Sequence, residues 1–221
     1  MTNYTQWKSL VDLHEYSAIP DSGIARYNFE DDSDTTTAID SWNGNNGTIN
    51  GATYTTTSAV DSLALSFSSG DTVDLPTLIS DITTEMSISM WVRADSFNSD
   101  FENLLNIQDG TSSSVQIQTM SDGRIRFMVY DGDFTDVYTP SVSSNTFVHV
   151  VGVFKPQNQI EIYLNGNLED TTAIGPRERN PVDSWELGDT GGRIKDDVKV
   201  FSKALTNTEV SNLYNADSIS G

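Results

Sequence analysis

Carboxylates are the most numerous titratable groups of this sequence, which contains 32 acidic residues and two histidines. Two carboxylates on alternate residues of one strand would face the same side and could hydrolyse a glycosidic bond as nucleophile and acid. No strand-like segment has such a pair, since Glu161 stands alone and Glu169-Asp170 lies in a hairpin arm. Asp131-Gly132-Asp133 brings two carboxylates together, but the pattern indicates a solvated turn. Asp131 and Asp133 are therefore candidate ligand contacts and not candidate catalysts.

Other catalytic patterns give no clearer signal. Composition leaves a Ser-His-Asp arrangement open, but His149 lies inside an apolar strand-like run, where a hydrogen-bonded core or sheet-face histidine is expected. The sequence has no phosphate-binding glycine loop, no Cys/His metal cluster and no basic patch. We therefore predict that the protein is not an enzyme.

Four further side chains are candidate ligand-binding residues. Arg177 and Arg179 lie in a polar, proline-bounded loop, where a guanidinium fork could bind an acidic sugar or a subunit; a local salt-bridging loop is the alternative. Trp42 and Trp185 lie in or beside loops and could stack on sugar rings, with packing in the core or at its rim as the alternative.

The segment from residue 147 to residue 170 shows how these groups would be positioned. Residues 147–154 are almost wholly apolar and β-branched, which is typical of a strand covered on both faces. Residues 159–164 alternate between apolar and polar side chains, and Asn165-Gly166 follows at once. Both turn residues tolerate the positive φ angles of a two-residue type I′ hairpin. The sequence therefore predicts an antiparallel meander here.

Most of the remaining chain repeats this alternation between turns. About a dozen short strands without intervening helices predict an all-β protein with two packed antiparallel sheets. The exception is the C-terminus, where Thr206 and Glu209 have the spacing of a capping box and Val210, Leu213 and Tyr214 form an apolar stripe. A short C-terminal helix is therefore predicted.

The N-terminal segment has a different pattern. Its apolar residues Trp7, Leu10 and Val11 recur at helical spacing, and Pro20 ends the stripe. Such an arm either docks on its own domain or binds a partner subunit of a larger assembly. We predict an arm over residues 1–24, a β domain over residues 25–215 and a tail over residues 216–221.

Charge and composition exclude several classes of function. The formal net charge of −20 argues against nucleic acid as a partner, because the phosphate backbone would be repelled. It is typical either of a solvated acidic surface or of a halophilic protein, whose self-repulsion is screened at molar salt. No apolar run reaches the ~18 residues of a membrane span, so membrane insertion is not expected. The N-terminus lacks the pattern of a signal peptide, which predicts synthesis in the cytoplasm without export.

Seven short motifs occur in a characteristic order between residues 25 and 215. They are YNFED (27–31), ALSF (64–67) followed by GDTVDLP (70–76), SISMWVR (87–93), DGRIRF (122–127), FVHV (147–150), IYLNG (162–166) and IKDDVKVF (194–201). This order resembles the concanavalin A-like jelly roll, in particular its laminin-G-like (pentraxin-like) branch. The resemblance implies a two-sheet antiparallel jelly-roll sandwich.

The resemblance also implies a metal site. Many members hold a structural Ca²⁺ at one end of a sheet, which would place Glu30, Asp31, the Gly70 turn and Asp196 close together. Carboxylates, backbone carbonyls and water can supply the six to eight oxygen ligands that Ca²⁺ requires. In the alternative, Asp196 only accepts hydrogen bonds from backbone amides of the turn after Gly192.

These observations together predict a non-catalytic binding or assembly module. Members of this kind commonly recognise glycans or surface glycoproteins, so a glycan or glycoprotein is the expected partner. The acidic composition and the missing export signal suggest a virion decoration or tail adhesin of a halophilic virus, placed on a virion or an extracellular surface. A glycoside hydrolase or lyase, a purely structural protein and a homo-oligomer stay open.

Overall fold

Alternating apolar and polar residues produce sixteen strands in two antiparallel sheets within the described part of the chain. The structure is a computed structural model that describes residues 20–80, 83–108, 113–131, 133–175, 182–188 and 191–219. The predicted all-β sandwich with a C-terminal helix is confirmed. The N-terminal arm falls on residues 1–24, of which the first 19 lie outside the described residues.

The first sheet, sheet A, contains eight strands. Its strands in spatial order are β14 (Asn167–Ala173), β13 (Gln159–Leu164), β12 (Phe147–Lys155), β7 (Met86–Ala94), β16 (Arg193–Phe201), β5 (Ala64–Phe67) and β4 (Thr53–Thr55). Strand β1 (Gly23–Tyr27) also pairs with β16. The predicted meander is β12-β13-β14, and its turn residues Asn165 and Gly166 have φ angles of 49° and 81°.

The second sheet, sheet B, also contains eight strands. Their spatial order is β11 (Phe134–Tyr138), β10 (Ile125–Asp131), β9 (Ser113–Thr119), β8 (Glu102–Gln108), β15 (Ser184–Gly188), β6 (Thr72–Leu75), β3 (Gly47–Asn50) and β2 (Thr37–Ala38). Sheet B packs face to face on sheet A. The contact is close at Gly152, where an added Cβ atom would lie 2.7 Å from the Phe127 ring.

The core lies between the sheets and is mainly apolar. Both sheets contribute to it, for example through Ile88 and Val150 from sheet A and Ile117 and Phe127 from sheet B, all fully buried. One ion pair crosses this space, because the buried Arg193 side chain of β16 contacts the carboxylate of Glu102 on β8.

A bulge in β16 determines which strands lie beside it. The register shifts between Asp196 and Lys199, and Asp197 has a φ angle of +45°. Before the bulge β16 pairs with β5, and after it β16 pairs with β1. The Asp197 carboxylate accepts a hydrogen bond of 2.6 Å from Arg26 on β1 and also contacts Lys199.

Helix α1 (Asn207–Ile219) covers the outer face of sheet A. The predicted capping box is confirmed, because the Thr206 amide donates to Glu209 Oε2 (2.8 Å) and the Glu209 amide donates to Thr206 Oγ1 (3.3 Å). Val210 and Leu213 are buried against sheet A. The helix continues to Ile219, into the segment from residue 216 that the sequence assigned to a tail, and its Asp217 contacts Lys199 (2.9 Å).

Lys199 is buried beneath this helix. Burial alone would lower the pKa of Lys199, but the carboxylates of Asp197 and Asp217 outweigh it and hold the pKa above its ordinary value. The same Asp217 accepts a hydrogen bond from the indole N–H of Trp91 (3.2 Å). The helix is therefore attached by ion pairing as well as by apolar contacts.

His149 lies on the same covered face and does not belong to a catalytic triad. Its Nε2 atom is 2.7 Å from Ser89 Oγ, but its buried Nδ1 atom has no hydrogen-bond partner. Burial, and then the positive charge of Lys199, lower the pKa of His149 to about 3. The sheet-face histidine expected from the sequence is therefore what the structure shows.

His149 should make the protein less stable in acid. Its unfolded pKa of about 6.5 exceeds the folded value, so below that pH the unfolded chain binds a proton that the folded chain excludes. The free energy of unfolding should then fall by about 1.4 kcal/mol per pH unit between pH 6 and 4 through this group alone. The His149→Gln variant should lack this component.

Urea unfolding followed by tryptophan fluorescence at several pH values measures this component. Ser89→Ala serves as the control, because it removes the hydroxyl contact and keeps the titrating imidazole. Parallel pH profiles for wild type and His149→Gln would contradict the prediction.

Candidate functional site

The outer face of sheet B carries one row of side chains that crosses all eight strands. Register pairing aligns these residues, and their chain neighbours on each strand face the core. At about 4.8 Å per strand, the row is about 34 Å long. We call it the cross-strand row; its members are Asp136, Met128, Gln116, Asn106, Glu186, Asp74, Thr48 and Thr37.

Amide side chains in and beside this row bind one another. The Gln116 amide nitrogen donates to Asn106 Oδ1 (2.8 Å), and the Gln118 amide nitrogen donates to Asn103 Oδ1 (3.0 Å). Gln118 Oε1 in turn accepts a hydrogen bond from Arg126 Nη1 (3.0 Å). Because each amide can donate and accept, the network holds a surface of oriented donors and acceptors in place.

Aromatic rings surround Arg126 at one end of the row. Its guanidinium carbon lies 5.1 Å from the Phe101 ring centroid and 5.6 Å from that of Phe134, and its Nε atom donates to Asp136 (3.0 Å). The Tyr130 and Phe134 ring centroids are 4.5 Å apart. Phe101 is 55% exposed and Phe134 is 65% exposed. We call Phe101, Tyr130 and Phe134 the aromatic platform.

Two carboxylates lie opposite each other near the middle of the row. Glu186 of β15 pairs in register with Asp74 of β6, and the Asn50 side-chain amide donates to Asp74 Oδ2 (3.0 Å). Burial raises the pKa of Glu186, and the negative charge of Asp74 adds to this effect. This part of the surface is therefore acidic.

The two tryptophans proposed from the sequence do not lie on this face. Trp185 is 1% exposed and its indole N–H points to the Ile79 carbonyl (3.4 Å), so the sugar-stacking role proposed for it is wrong and the alternative, core packing, holds. Trp42 is half-buried on the side of sheet A. Its ring packs edge-on against Phe201, with the two ring centroids 5.6 Å apart. The Trp185 inference failed because the sequence shows a turn nearby but not the side-chain direction, whereas a ligand role for Trp42 stays a prediction.

The other proposed ligand contacts lie near the aromatic platform or outside the described residues. Asp133 is exposed in the β10–β11 turn beside Phe134, and Asp131 ends β10 with its side chain outside the described set. Arg177 and Arg179 lie outside the described residues. Asp131, Asp133, Arg177 and Arg179 therefore stay predictions.

Two of the four proposed calcium ligands hold the same loop. Glu30 Oε1 accepts hydrogen bonds from the amides of Leu63 (2.8 Å) and Ser62 (3.1 Å). Asp196 Oδ2 accepts bonds of 2.9 Å from the amides of Ala59 and Val60. The proposed hydrogen bonding of Asp196 to backbone amides therefore holds, although its partners are in this loop and not in the turn after Gly192.

The other two proposed ligands lie elsewhere. Asp31 is exposed and accepts a hydrogen bond from the amide of Ser33 (3.0 Å). Gly70 lies beyond the far end of β5, and four strand residues at about 3.3 Å each separate that end from the loop. The structure therefore does not bring Glu30, Asp31, Gly70 and Asp196 together. Within the described residues, no group of three or more His, Cys, Asp or Glu side chains could hold a metal.

One atom of this cluster nevertheless fits a cation. Asp196 Oδ1 is buried and has no hydrogen-bond partner. Burial raises the pKa of Asp196 to about 7, against the opposing effect of the two amide bonds. A Ca²⁺ ion there would take this oxygen as a ligand and would need backbone and water oxygens for most of the remainder. Calcium therefore stays a prediction that depends on Asp196.

The arrangement of the two sheets defines the class of fold. Two eight-stranded antiparallel sheets, with one outer face covered by a helix and the other polar and aromatic, define a jelly roll of the concanavalin A-like class. A family model, Laminin_G_3, described as the concanavalin A-like lectin/glucanases superfamily, matches residues 67–211, about two thirds of the chain. The chain belongs to this family.

Solved structures with the same fold include bacterial binding domains. The binding domain of Paraclostridial Mosquitocidal Protein 1 has a TM-score of 0.76 at 17% identity, covering 89% of this chain and 52% of that one. The binding domain of Botulinum neurotoxin serotype D has a TM-score of 0.73 at 18% identity, covering 91% and 52%. This chain thus spans about half the length of those toxin domains.

A shorter structure matches along nearly its whole length. Domain 4 of AbnA, a GH43 extracellular arabinanase from Geobacillus stearothermophilus, was solved in complex with arabinotriose. It has a TM-score of 0.72 at 19% identity, covering 87% of this chain and 98% of that one. A search of curated protein sequences finds no match. At these identities the likenesses show the fold alone.

Calcium should raise the melting temperature of the wild type by a few degrees, because a bound ion stabilises only the folded chain. The Asp196→Asn variant should not respond, since a neutral amide is a much weaker ligand. Asp31→Asn is the matched control and should respond like the wild type, because the Asp31 carboxylate is exposed and accepts its hydrogen bonds from Ser33. Thermal melts with millimolar CaCl₂ and with EDTA measure the response. Identical wild-type melts would remove calcium from the description of this protein.

Proposed function

We propose that this protein is a non-catalytic glycan-binding module whose ligand lies on the outer face of sheet B. The observation that carries the proposal is the aromatic platform beside the amide network. Phe101 and Phe134 are both more than half exposed and both lie over the guanidinium of Arg126. An apolar face of a sugar ring can stack on such rings while its hydroxyls exchange hydrogen bonds with neighbouring amides.

The folding of the domain does not require these rings to be at the surface. Each phenyl ring would gain about 1.5–3 kcal/mol if it were fully buried, so a cluster of exposed rings is typical of a binding surface. Arg126 fixes their position because it is held by Asp136 and Gln118. A preorganised surface loses little conformational entropy when a ligand binds.

Three structures similar to this chain support a sugar as ligand. Domain 4 of AbnA was solved with arabinotriose. A Botulinum neurotoxin DC binding domain was solved in complex with SialylT, and cell entry of type C neurotoxin is described as dependent on two ganglioside molecules. Those ligands belong to those proteins, and for this chain they support only the class of ligand.

We further propose that the domain works in a salt-adapted setting on a virion or cell surface, as a capsid decoration or tail adhesin. The support is the formal charge of −20. Among the described residues, no helix is long and apolar enough to cross a membrane. Docking through the N-terminal arm falls on residues 1–24 and stays a prediction, as does a homo-oligomer.

Salt should stabilise the fold if the acidic surface is adapted to it. Raising NaCl from 0.1 M to 1 M shortens the Debye length from about 10 Å to about 3 Å and screens the repulsion between carboxylates. The melting temperature, followed by circular dichroism, should therefore rise by several degrees. A non-ionic osmolyte is the control, since it favours the compact state without screening charge. A melting temperature independent of salt would remove the halophilic proposal.

Removing the aromatic platform should weaken glycan binding. Phe134→Ala and Phe101→Ala should each raise the Kd of a bound oligosaccharide about tenfold, which corresponds to about 1.4 kcal/mol of lost contact. Leu168→Ala is the matched control, because Leu168 is 41% exposed but lies on β14 of sheet A. The measurement is calorimetric titration with the best ligands from a glycan array, starting with arabino-oligosaccharides. Equal Kd values for wild type and both Phe variants would contradict the proposed surface.

A hydrolase is the second candidate, and one observation favours it. Glu186 and Asp74 are opposite each other across two strands, where Cβ atoms lie about 4.5–5.5 Å apart, and retaining glycosidases need carboxyl groups about 5–5.5 Å apart. The oligosaccharides recovered from the binding experiment distinguish the two functions. Oligosaccharides recovered intact support a binding module. Shortened oligosaccharides that the wild type produces and the Glu186→Gln variant does not would identify an enzyme.

A further inference from the structure

We propose that the outer face of sheet B selects uncharged glycan chains and excludes acidic ones. This inference rests on the proposed function and adds the chemical class of the ligand. It follows from the charges on the surface and from the hydrogen bonds that its arginines already make.

The arginines described on this face are not available to a ligand carboxylate. The Arg126 guanidinium donates to Asp136 and Gln118, its side chain is only 7% exposed, and its central carbon lies 5.1 Å and 5.6 Å from the centroids of the two exposed phenyl rings. Arg124 at the rim pairs with Asp122 (2.6 Å) and lies 4.4 Å from the Tyr138 ring centroid. An acidic sugar would need a free guanidinium fork or an ammonium group, and neither is offered within the described part of this surface.

The remaining charges on this face are negative within the part of the chain that the structure describes. Glu186 and Asp74 face each other on the cross-strand row, and Asp133 is exposed next to the platform. Burial, and then the negative charge of Asp74, raise the pKa of Glu186, so the charge of Asp74 already acts against the ionised form of Glu186. A ligand carboxylate or sulfate would add a third negative charge. The repulsion between like charges would disfavour such a ligand, just as a steric clash would.

Neutral groups on the row suit sugar hydroxyls. The side chains of Gln116, Asn106 and Thr48 present both donors and acceptors, as a hydroxyl does. The row extends about 34 Å across the strands, and all of its members except the buried Met128 are at least partly exposed, so a monosaccharide would contact only a small part of it. Affinity should therefore increase with the length of an uncharged chain.

Matched pairs of ligands test the selection. Each pair consists of an acidic oligosaccharide, such as an oligogalacturonide, and its carboxyl-reduced form, which has the same backbone without the charge. Within a pair, we expect the neutral form to bind at least tenfold more tightly at low salt, and the ratio to shrink at molar salt as charge is screened. Neutral series from disaccharide to hexasaccharide should bind with increasing affinity.

Charge-neutralising variants give the second measurement. In a Glu186→Gln/Asp74→Asn double variant, the ratio between the two forms of each pair should fall to about threefold or less. Phe134→Ala should weaken binding of the neutral form and leave the sign of the preference unchanged. Circular dichroism confirms that each variant is folded.

The outcomes separate this inference from the proposed function. If no glycan of an array binds at any salt concentration, the proposed function fails. If acidic forms bind as well as or better than their neutral forms, the function stands and the selection for uncharged chains is wrong. Loss of that acidic binding in an Arg177→Ala/Arg179→Ala variant would then assign the acidic-sugar contact to that loop.

Discussion

Two adjacent carboxylates in the bulge of β16 form the constraint on which the rest of the structure depends. Asp196 holds the loop that leads into β5, and Asp197 holds Arg26 of β1 and Lys199. Asp197 is fully buried, so removing Arg26 or Lys199 would leave its charge poorly compensated in a region of low polarity, a change that typically costs several kcal/mol. The exchange of β5 for β1 beside the central strand is therefore fixed at this bulge.

This arrangement also decides which surface is available for binding. Lys199 pairs with Asp217 of α1, and the helix buries Val210 and Leu213 against the outer face of sheet A. That face is thus occupied by the protein's own chain. The outer face of sheet B carries no such helix within the described residues, and it leaves Phe101 and Phe134 exposed and Gln116 and Asn106 partly exposed, whereas Gln118 is buried. The outer face of sheet A is therefore buried beneath the helix, and the outer face of sheet B carries the candidate site.

The sequence located the elements more accurately than the site. The meander, the Asn165-Gly166 turn and the capping box at Thr206 depend on residues near one another in the chain, and all three are confirmed. The residues of the aromatic platform come from three places: the residue before β8, the end of β10 and the start of β11. Alternation alone could have marked Gln116, Gln118 and Arg126 as outward-facing, but not that they meet.

The amino-acid sequence by itself determined the all-β class, the order of the strands, the C-terminal helix and the strongly acidic surface. Each of these follows from local spacing or from composition, which need no knowledge of distant contacts. Only the tertiary structure decided that Trp185 lies in the core, that Glu30 and Asp196 share a loop without Gly70, and that Phe101 and Phe134 flank Arg126. The physical reason is that strand pairing and sheet packing, which bring distant residues together, set the burial and the partners of every side chain.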